Sequence, residues 1–337
     1  MAERIGGDTI EFSARPRVLG HAAVGGKKES EGPLAADFDK LFSDDTLGED
    51  TWEKAESRLV TEAFSAALKN ADVDKAELHA VFAGDLLNQC IASTFGLREF
   101  SLPFLGQFGA CSTMAQTLLA AATFVDSGAA DVCAAVTSSH FCTAERQFRF
   151  PLEYGGQRTP TSQWTATAAG AAIIGNSGGR GARIADGCIG RVVDLGVTDM
   201  NNMGAAMAPA AADTLARYFR DTKTKPTDYE RIVTGDLSAV GGALLRKLLQ
   251  KEGFDLGDRY TDCGLLLYDR KAQDVHAGGS GCGCSAGVLC GHLLNRFDRG
   301  ELSDFLFVGT GALMSPTSCQ QGESIPAVAH LVHFIRD

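Results

Sequence analysis

The 337 residues are 45% hydrophobic and only 8% aromatic, include 39 glycines and carry a formal net charge of −11. That length supports one large core or two medium ones and excludes a disordered chain, while an acidic balance with no Lys/Arg cluster excludes a phosphate-neutralising nucleic-acid surface, so no nucleic-acid partner is expected. Ten cysteines in a chain this long, set in apolar strands, helix starts and glycine-rich loops, point to reduced thiols in a cytosolic-type compartment rather than a disulfide framework.

In chain order, Met1 to Phe12 is charged and lacks the apolar core of a signal peptide. Arg17 to Gly25 reads as a strand, and the polar run Gly26 to Asp50 as a surface connection. Asp50 or Thr51 caps a helix whose apolar residues recur at helical spacing as far as Asn70. Leu78 to Gly84 is a short strand ending in Gly84-Asp85-Leu86, and Leu87 to Phe100 reads as helical. The stretch Gly106 to Ala115 then sets Cys111 at the start of a long Ala/Leu-rich helix that stops at Ser127-Gly128. Unpaired N–H groups and the helix dipole favour a thiolate or a bound anion there. Met114 to Val136 is the longest apolar region, but Asp126, Ser127-Gly128 and Asp131 interrupt it, so work at a membrane would require another protein to hold the chain there.

Val132 to Thr137 is nearly all apolar, as expected of a strand covered on both faces. The polar excursion Ser138 to Gln163 that follows has the length of a functional loop and carries His140, Cys142, Arg146, Arg149, Tyr154 and Arg158. Thr165 to Gly175 and Arg183 to Val197 read as two strands of a hairpin. A helix is predicted from about Pro209 to Arg220, then a strand Arg231 to Thr234 ending in Gly235-Asp236-Leu237, a helix from Ala239 to Glu252 and a strand Cys263 to Tyr268. The glycine-rich turn Gly278 to Ser285 feeds a helix to about Arg299, and Phe305 to Val308 is a buried strand. That turn has neither the Gly-Lys-Ser/Thr ending of a phosphate loop nor dinucleotide spacing, so no cofactor is expected. Cys282, Cys284, Cys290 and His292 match no common zinc spacing.

The two halves repeat one another. Strand-Gly84-Asp85-Leu86 matches strand-Gly235-Asp236-Leu237, a cysteine-bearing turn opens a helix at Cys111 and again near Cys282, and each helix ends in Gly, then Asp, then an apolar strand. This implies an internal duplication of a βαβ-type α/β unit, with residues 1–198 as the first half and 199–337 as the second, and with ligands gathering at the strand ends.

A duplicated α/β chain with a cysteine at a buried helix start resembles the thiolase and ketoacyl-synthase fold. More closely, Gly109-Ala110-Cys111-Ser112-Thr113, the loop Glu145 to Gly155, the run Asn201 to Pro209 and His276 to Cys284 resemble the stage V sporulation protein AD family of endospore formers. The resemblance covers essentially the whole chain. It implies two mixed sheets with helices packed between and outside them, and a homodimer. It also implies binding of dipicolinate (pyridine-2,6-dicarboxylate), as such or as its calcium chelate, for uptake into the forespore, and work in sporulation and germination beside membrane-embedded partners at the spore inner membrane.

Related condensing enzymes add a histidine and a second partner to the cysteine. Where the histidine would fall this sequence has Asp236, and where the second partner would fall it has Cys282 or Cys284, while His276 and His292 read as structural. An aspartate beside a thiol disfavours the thiolate. The expected site is therefore a degenerate, non-catalytic pocket binding ligand through Cys111, Asp85, His140, Arg146, Arg149, Arg158, Asp236 and Cys282, with no metal centre. An acyltransferase with Cys111 as nucleophile and a purely structural adaptor of the membrane complex are the alternatives.

Overall fold

The computed structural model describes residues 2–149, 158–176 and 181–336. Its first half comprises β1 (Arg17–Gly25), α1 (Trp52–Ala71), β2 (Ala80–Gly84), α2 (Ile91–Leu97), β3 (Phe104–Gly106), α3 (Thr113–Asp126), β4 (Val132–Ser139), α4 (Phe141–Arg149) and β5 (Ala168–Gly175). The remainder comprises β6 (Arg183–Cys188), α5 (Met203–Thr222), β7 (Arg231–Thr234), α6 (Ser238–Lys251), β8 (Tyr260–Asp262), α7 (Cys282–Gly287, continued by a π-helical stretch Val288–Leu293 and by Leu294–Asp298), β9 (Asp304–Ala312) and β10 (Ala327–Ile335).

The strands order as β3-β2-β4-β5-β1 and β8-β7-β9-β10-β6. In each set the first three strands are parallel and the last two antiparallel, so the duplication read from the sequence is a duplication of sheet topology. The two mixed half-sheets join edge to edge through one antiparallel pair, Arg17 with Arg183. A separate parallel ladder, Trp164–Thr165 on Gly279–Ser280, ties the halves a second time.

Helices cover both faces, which explains the nearly unbroken apolar strands. Along β4, Ala134 and Val136 pack with α1 residues Leu59, Val60 and Phe64, whereas Cys133 and Ala135 turn to the core shared with Met114, Leu118 and Val125 of α3. Along β9, Leu306 and Val308 pack with Met207, Leu215 and Phe219 of α5, and Phe305 and Phe307 turn inward. The arrangement is thus α1 and α2, first half-sheet, α3 with α7, second half-sheet, α5 and α6. Each fully buried Leu or Phe contributes about 1.5–3 kcal/mol. Gly283 lets α7 lie directly on the first half-sheet, because a Cβ there would sit 2.3 Å from the Ala168 carbonyl oxygen and 2.6 Å from Ser139 Oγ.

Several expectations are corrected. β5 and β6 form no hairpin, because β1 lies between them and each belongs to its own half-sheet. Although β6 precedes residue 198, it pairs with β10 of the second set. The strand expected at Cys263 to Tyr268 is Tyr260–Asp262, and Cys263–Leu267 is a helical turn capped by Asp262, which accepts from the Leu265 N–H at 3.3 Å. α5 starts at Met203, six residues before Pro209, because Asn202 Oδ1 caps the Ala205 N–H. The excursion after β4 is helical from Phe141 to Arg149. β10, which pairs along its whole length with β9, was not anticipated.

Candidate functional site

The turn before α3 is cross-tied. Ser112 Oγ donates to the Gly109 carbonyl and Thr113 Oγ1 to the Ala110 carbonyl, each at 2.6 Å, and the Gly109 N–H donates to Thr113 Oγ1 at 3.1 Å. Ala110 is held in the left-handed region at φ +49°, unusual for a residue with a Cβ. The turn leaves Cys111 half-buried, two residues before the first helical residue.

Opposite it, at the end of β7, lies buried Asp236. Its Oδ1 accepts from Thr310 Oγ1 at 2.7 Å, and its Oδ2 from the Gly281 N–H at 2.9 Å and Ser280 Oγ at 3.1 Å. The same carboxyl stands close enough to the Cys111 thiol to act on its titration. Burial, and then the charge of Asp236, push the Cys111 thiol well above its ordinary pKa. The helix start, which alone favours a thiolate, is overridden. A second buried acid, Asp262, stands behind this arrangement; burial raises it to about 7 while it accepts from Thr234 Oγ1 and the N–H groups of Leu237 and Ser238.

Cys111 opens into a cavity of about 60 Å³. Ala110, Thr165 and Ser280 line it beside Cys111, so the small ladder joining the halves forms one wall. α4 contributes Ala144, Glu145, Phe148 and Arg149, α5 contributes Met203 and Met207, and Leu86, Ala312 and Met314 complete it. Among the described residues no histidine lines it.

Four of the eight proposed binding residues converge here. Cys111 and Arg149 line the cavity, Asp236 lies just behind it as the acceptor of the lining Ser280 hydroxyl, and Cys282 packs in one apolar cluster with Cys111, Leu86 and Ala144 while its Sγ donates to the Ser138 carbonyl at 3.0 Å. Cys284, the other candidate in the turn, belongs to the main core. The other four hold structural partners. Asp85 accepts from the N–H groups of Leu87 and Ser93 and from Ser93 Oγ, tying β2 to α2. His140 donates from Nε2 to the Asp45 carbonyl at 2.7 Å and accepts the Cys142 N–H at Nδ1; burial lowers its pKa and keeps it neutral. Arg146 pairs with Glu53 over the Trp52 ring, and Arg158 pairs with Asp274 at 2.7 Å over the Trp164 ring. Tyr154 lies outside the described residues.

His276 and His292 are engaged by the Thr159 carbonyl and by Asp37, away from the cavity. Sequence reasoning missed Thr165, Ser280 and the methionines. Of these, Met203 and Met207 carry a readable signal, an i, i+4 pair on one helix face.

The layered halves and the thiol at the head of a middle-layer helix define a thiolase-like protein. Solved structures agree: the chain aligns with OleA of Xanthomonas campestris, a substituted form, at TM-score 0.60 and 14% identity over 96% of this chain and 99% of that one. It aligns with 3-oxoacyl-[acyl-carrier-protein] synthase III from Aquifex aeolicus VF5 at TM-score 0.58 and 12% identity, over 95% and 99%. At these identities the likeness is one of fold alone. The chain belongs to the stage V sporulation protein AD family, whose model matches residues 6–335. It is 45% identical over 311 residues to stage V sporulation protein AD of Bacillus subtilis (strain 168), covering 92% of this chain and 91% of that protein.

Proposed function

We propose that this chain binds dipicolinate in the cavity beside Cys111 and serves its uptake, as such or as the calcium chelate, into the developing spore. The observation that carries the reading is the largely apolar recess lined by Cys111 and Arg149, with buried Asp236 beside the thiol. Thiolate chemistry needs a base beside the sulfur, and a carboxyl that keeps the thiol protonated withdraws the nucleophile. What remains is a largely apolar recess. Phe148, Met203, Met207 and Met314 suit the faces of a flat ring, and Arg149 suits a carboxylate. Family membership places the chain in sporulation.

In this reading the protein acts as a homodimer at the inner membrane of the forespore, docked on membrane-embedded partners. Among the described residues no helix is long and apolar enough to cross a membrane. Acyl transfer through Cys111 is the rival, and the raised thiol pKa speaks against it.

Calorimetric titration with dipicolinate, with and without calcium, tests the proposal: saturable heat is expected, and none at millimolar ligand sinks it. Incubation with acyl thioesters followed by intact-mass measurement should leave the protein unmodified, and an adduct mapped to Cys111 would restore the enzyme.

A further inference from the structure

The cavity carries its own counter-anion. Arg149 is the single cation lining it among the described residues, and Glu145, one turn earlier on α4, lines the same space and forms an ion pair with Arg149. Both side chains are mostly withdrawn from solvent, at 23% and 13% exposure. Arg149 Nε is buried and has no hydrogen-bond partner among the described residues, so the guanidinium is held by Glu145 with its Nε–H unused there.

Glu145 is also the group whose departure removes a negative charge from the path of an anion.

Resting on the binding reading above, we infer that Glu145 is a built-in competitor for the ligand, which binds by taking Arg149 away from it. A ligand carboxylate accepts from the Arg149 fork, with Nε–H supplying the donor that Glu145 leaves unused. The Glu145 carboxylate swings towards solvent, where hydration replaces its partner. The apparent affinity is the intrinsic one reduced by the fraction of molecules in which Arg149 is free. Such a site holds its ligand loosely enough to pass it on.

Calorimetric titration of dipicolinate into the full chain and four variants tests this. Glu145→Gln, which keeps the shape and removes the charge, is expected to bind about tenfold more tightly. Glu145→Asp, which keeps the charge, should gain less than Glu145→Gln. Arg149→Gln should bind at least about tenfold more weakly, and adding Glu145→Gln to it should gain less than Glu145→Gln gains in the wild-type background. Circular dichroism and melting check the fold, and Arg149→Lys, which keeps the charge but loses the fork, replaces Arg149→Gln if that variant does not fold. Binding by Glu145→Gln no tighter than wild type overturns the competitor role while leaving the binding reading intact. Absence of heat from every protein, wild type included, overturns the binding reading and this inference with it.

Discussion

Replacing Asp236 by asparagine should make Cys111 more reactive by removing the charge that adds to burial in raising its pKa. The carboxyl is buried and its charge acts on the sulfur. Two unit charges about 4 Å apart repel by about 4 kcal/mol at an effective dielectric constant near 20. That is a ceiling, because burial also raises the pKa of Asp236 and the acid is not fully ionised. A gain of at least about tenfold in the alkylation rate of Cys111 at fixed pH is the conservative expectation, since each 1.4 kcal/mol is a factor of ten. The substitution also removes an acceptor. An amide nitrogen cannot accept the Gly281 N–H or the Ser280 hydroxyl, and a buried unsatisfied donor costs about 1–3 kcal/mol, so a lower denaturant midpoint should accompany the change. All ten cysteines carry free thiols, and Cys142 and Cys319 are also partly accessible, so iodoacetamide labelling has to be read by peptide mass spectrometry at Cys111 itself. A folded variant whose Cys111 reacts no faster than wild type would refute the electrostatic argument.

His333 lies between Asp186, at 2.9 Å, and Asp304, at 3.1 Å; burial works against its charge, but the two carboxylates prevail and raise it to about 9. Its contribution, about 3 kcal/mol from the gap to the ordinary 6.5, is complete below that value and lost as pH rises through about 9. Denaturation of wild type across pH 6 to 10 should show this decline, and His333→Gln should lack it. Burial, then the charge of Asp85, raises Glu56 to about 8 despite hydrogen bonds from Thr143 and Ser138. Folding thus favours its protonated form, and stability is lost as pH climbs from the ordinary 4.5 through about 8. Glu56→Gln should flatten that loss and melt higher than wild type at pH 9; a lower melting point there would contradict it. Gly283→Ala should cost about 3 kcal/mol or prevent folding, since its Cβ would press on backbone at Ala168. Wild-type stability in a urea titration would refute that packing.

Local pattern carried the duplication, because each half repeats strand, Gly-Asp-Leu turn and helix within the reach of periodicity. Pattern could not say what the repeated aspartates do. Asp85 and Asp236 occupy matching positions, yet one ties down a helix start and the other faces the thiol. The arginines show the same limit. Arg146, Arg149 and Arg158 are equivalent as sequence, and only tertiary partners separate them: Glu53 and Asp274 occupy two away from the cavity, while Glu145 keeps the third in its lining. β10 was missed because both its faces are covered, which removes the alternation that marks a half-exposed strand. The wall formed by Thr165 and Ser280 depends on a ladder between residues more than a hundred positions apart, a distance no local signal spans.

The shared middle layer bears on how such a chain is made. α3 packs not only on its own half-sheet but also on β9 and β10. During synthesis, Met114, Leu118 and Val125 emerge long before Ala327–Ile335 exists to cover them. A half-made chain therefore presents a greasy, unfinished face to solvent for most of its translation, and the vectorial order of the ribosome runs against independent folding of the first repeat. Duplication made the two halves alike, but interleaving their cores made the nascent first half dependent on the last strand.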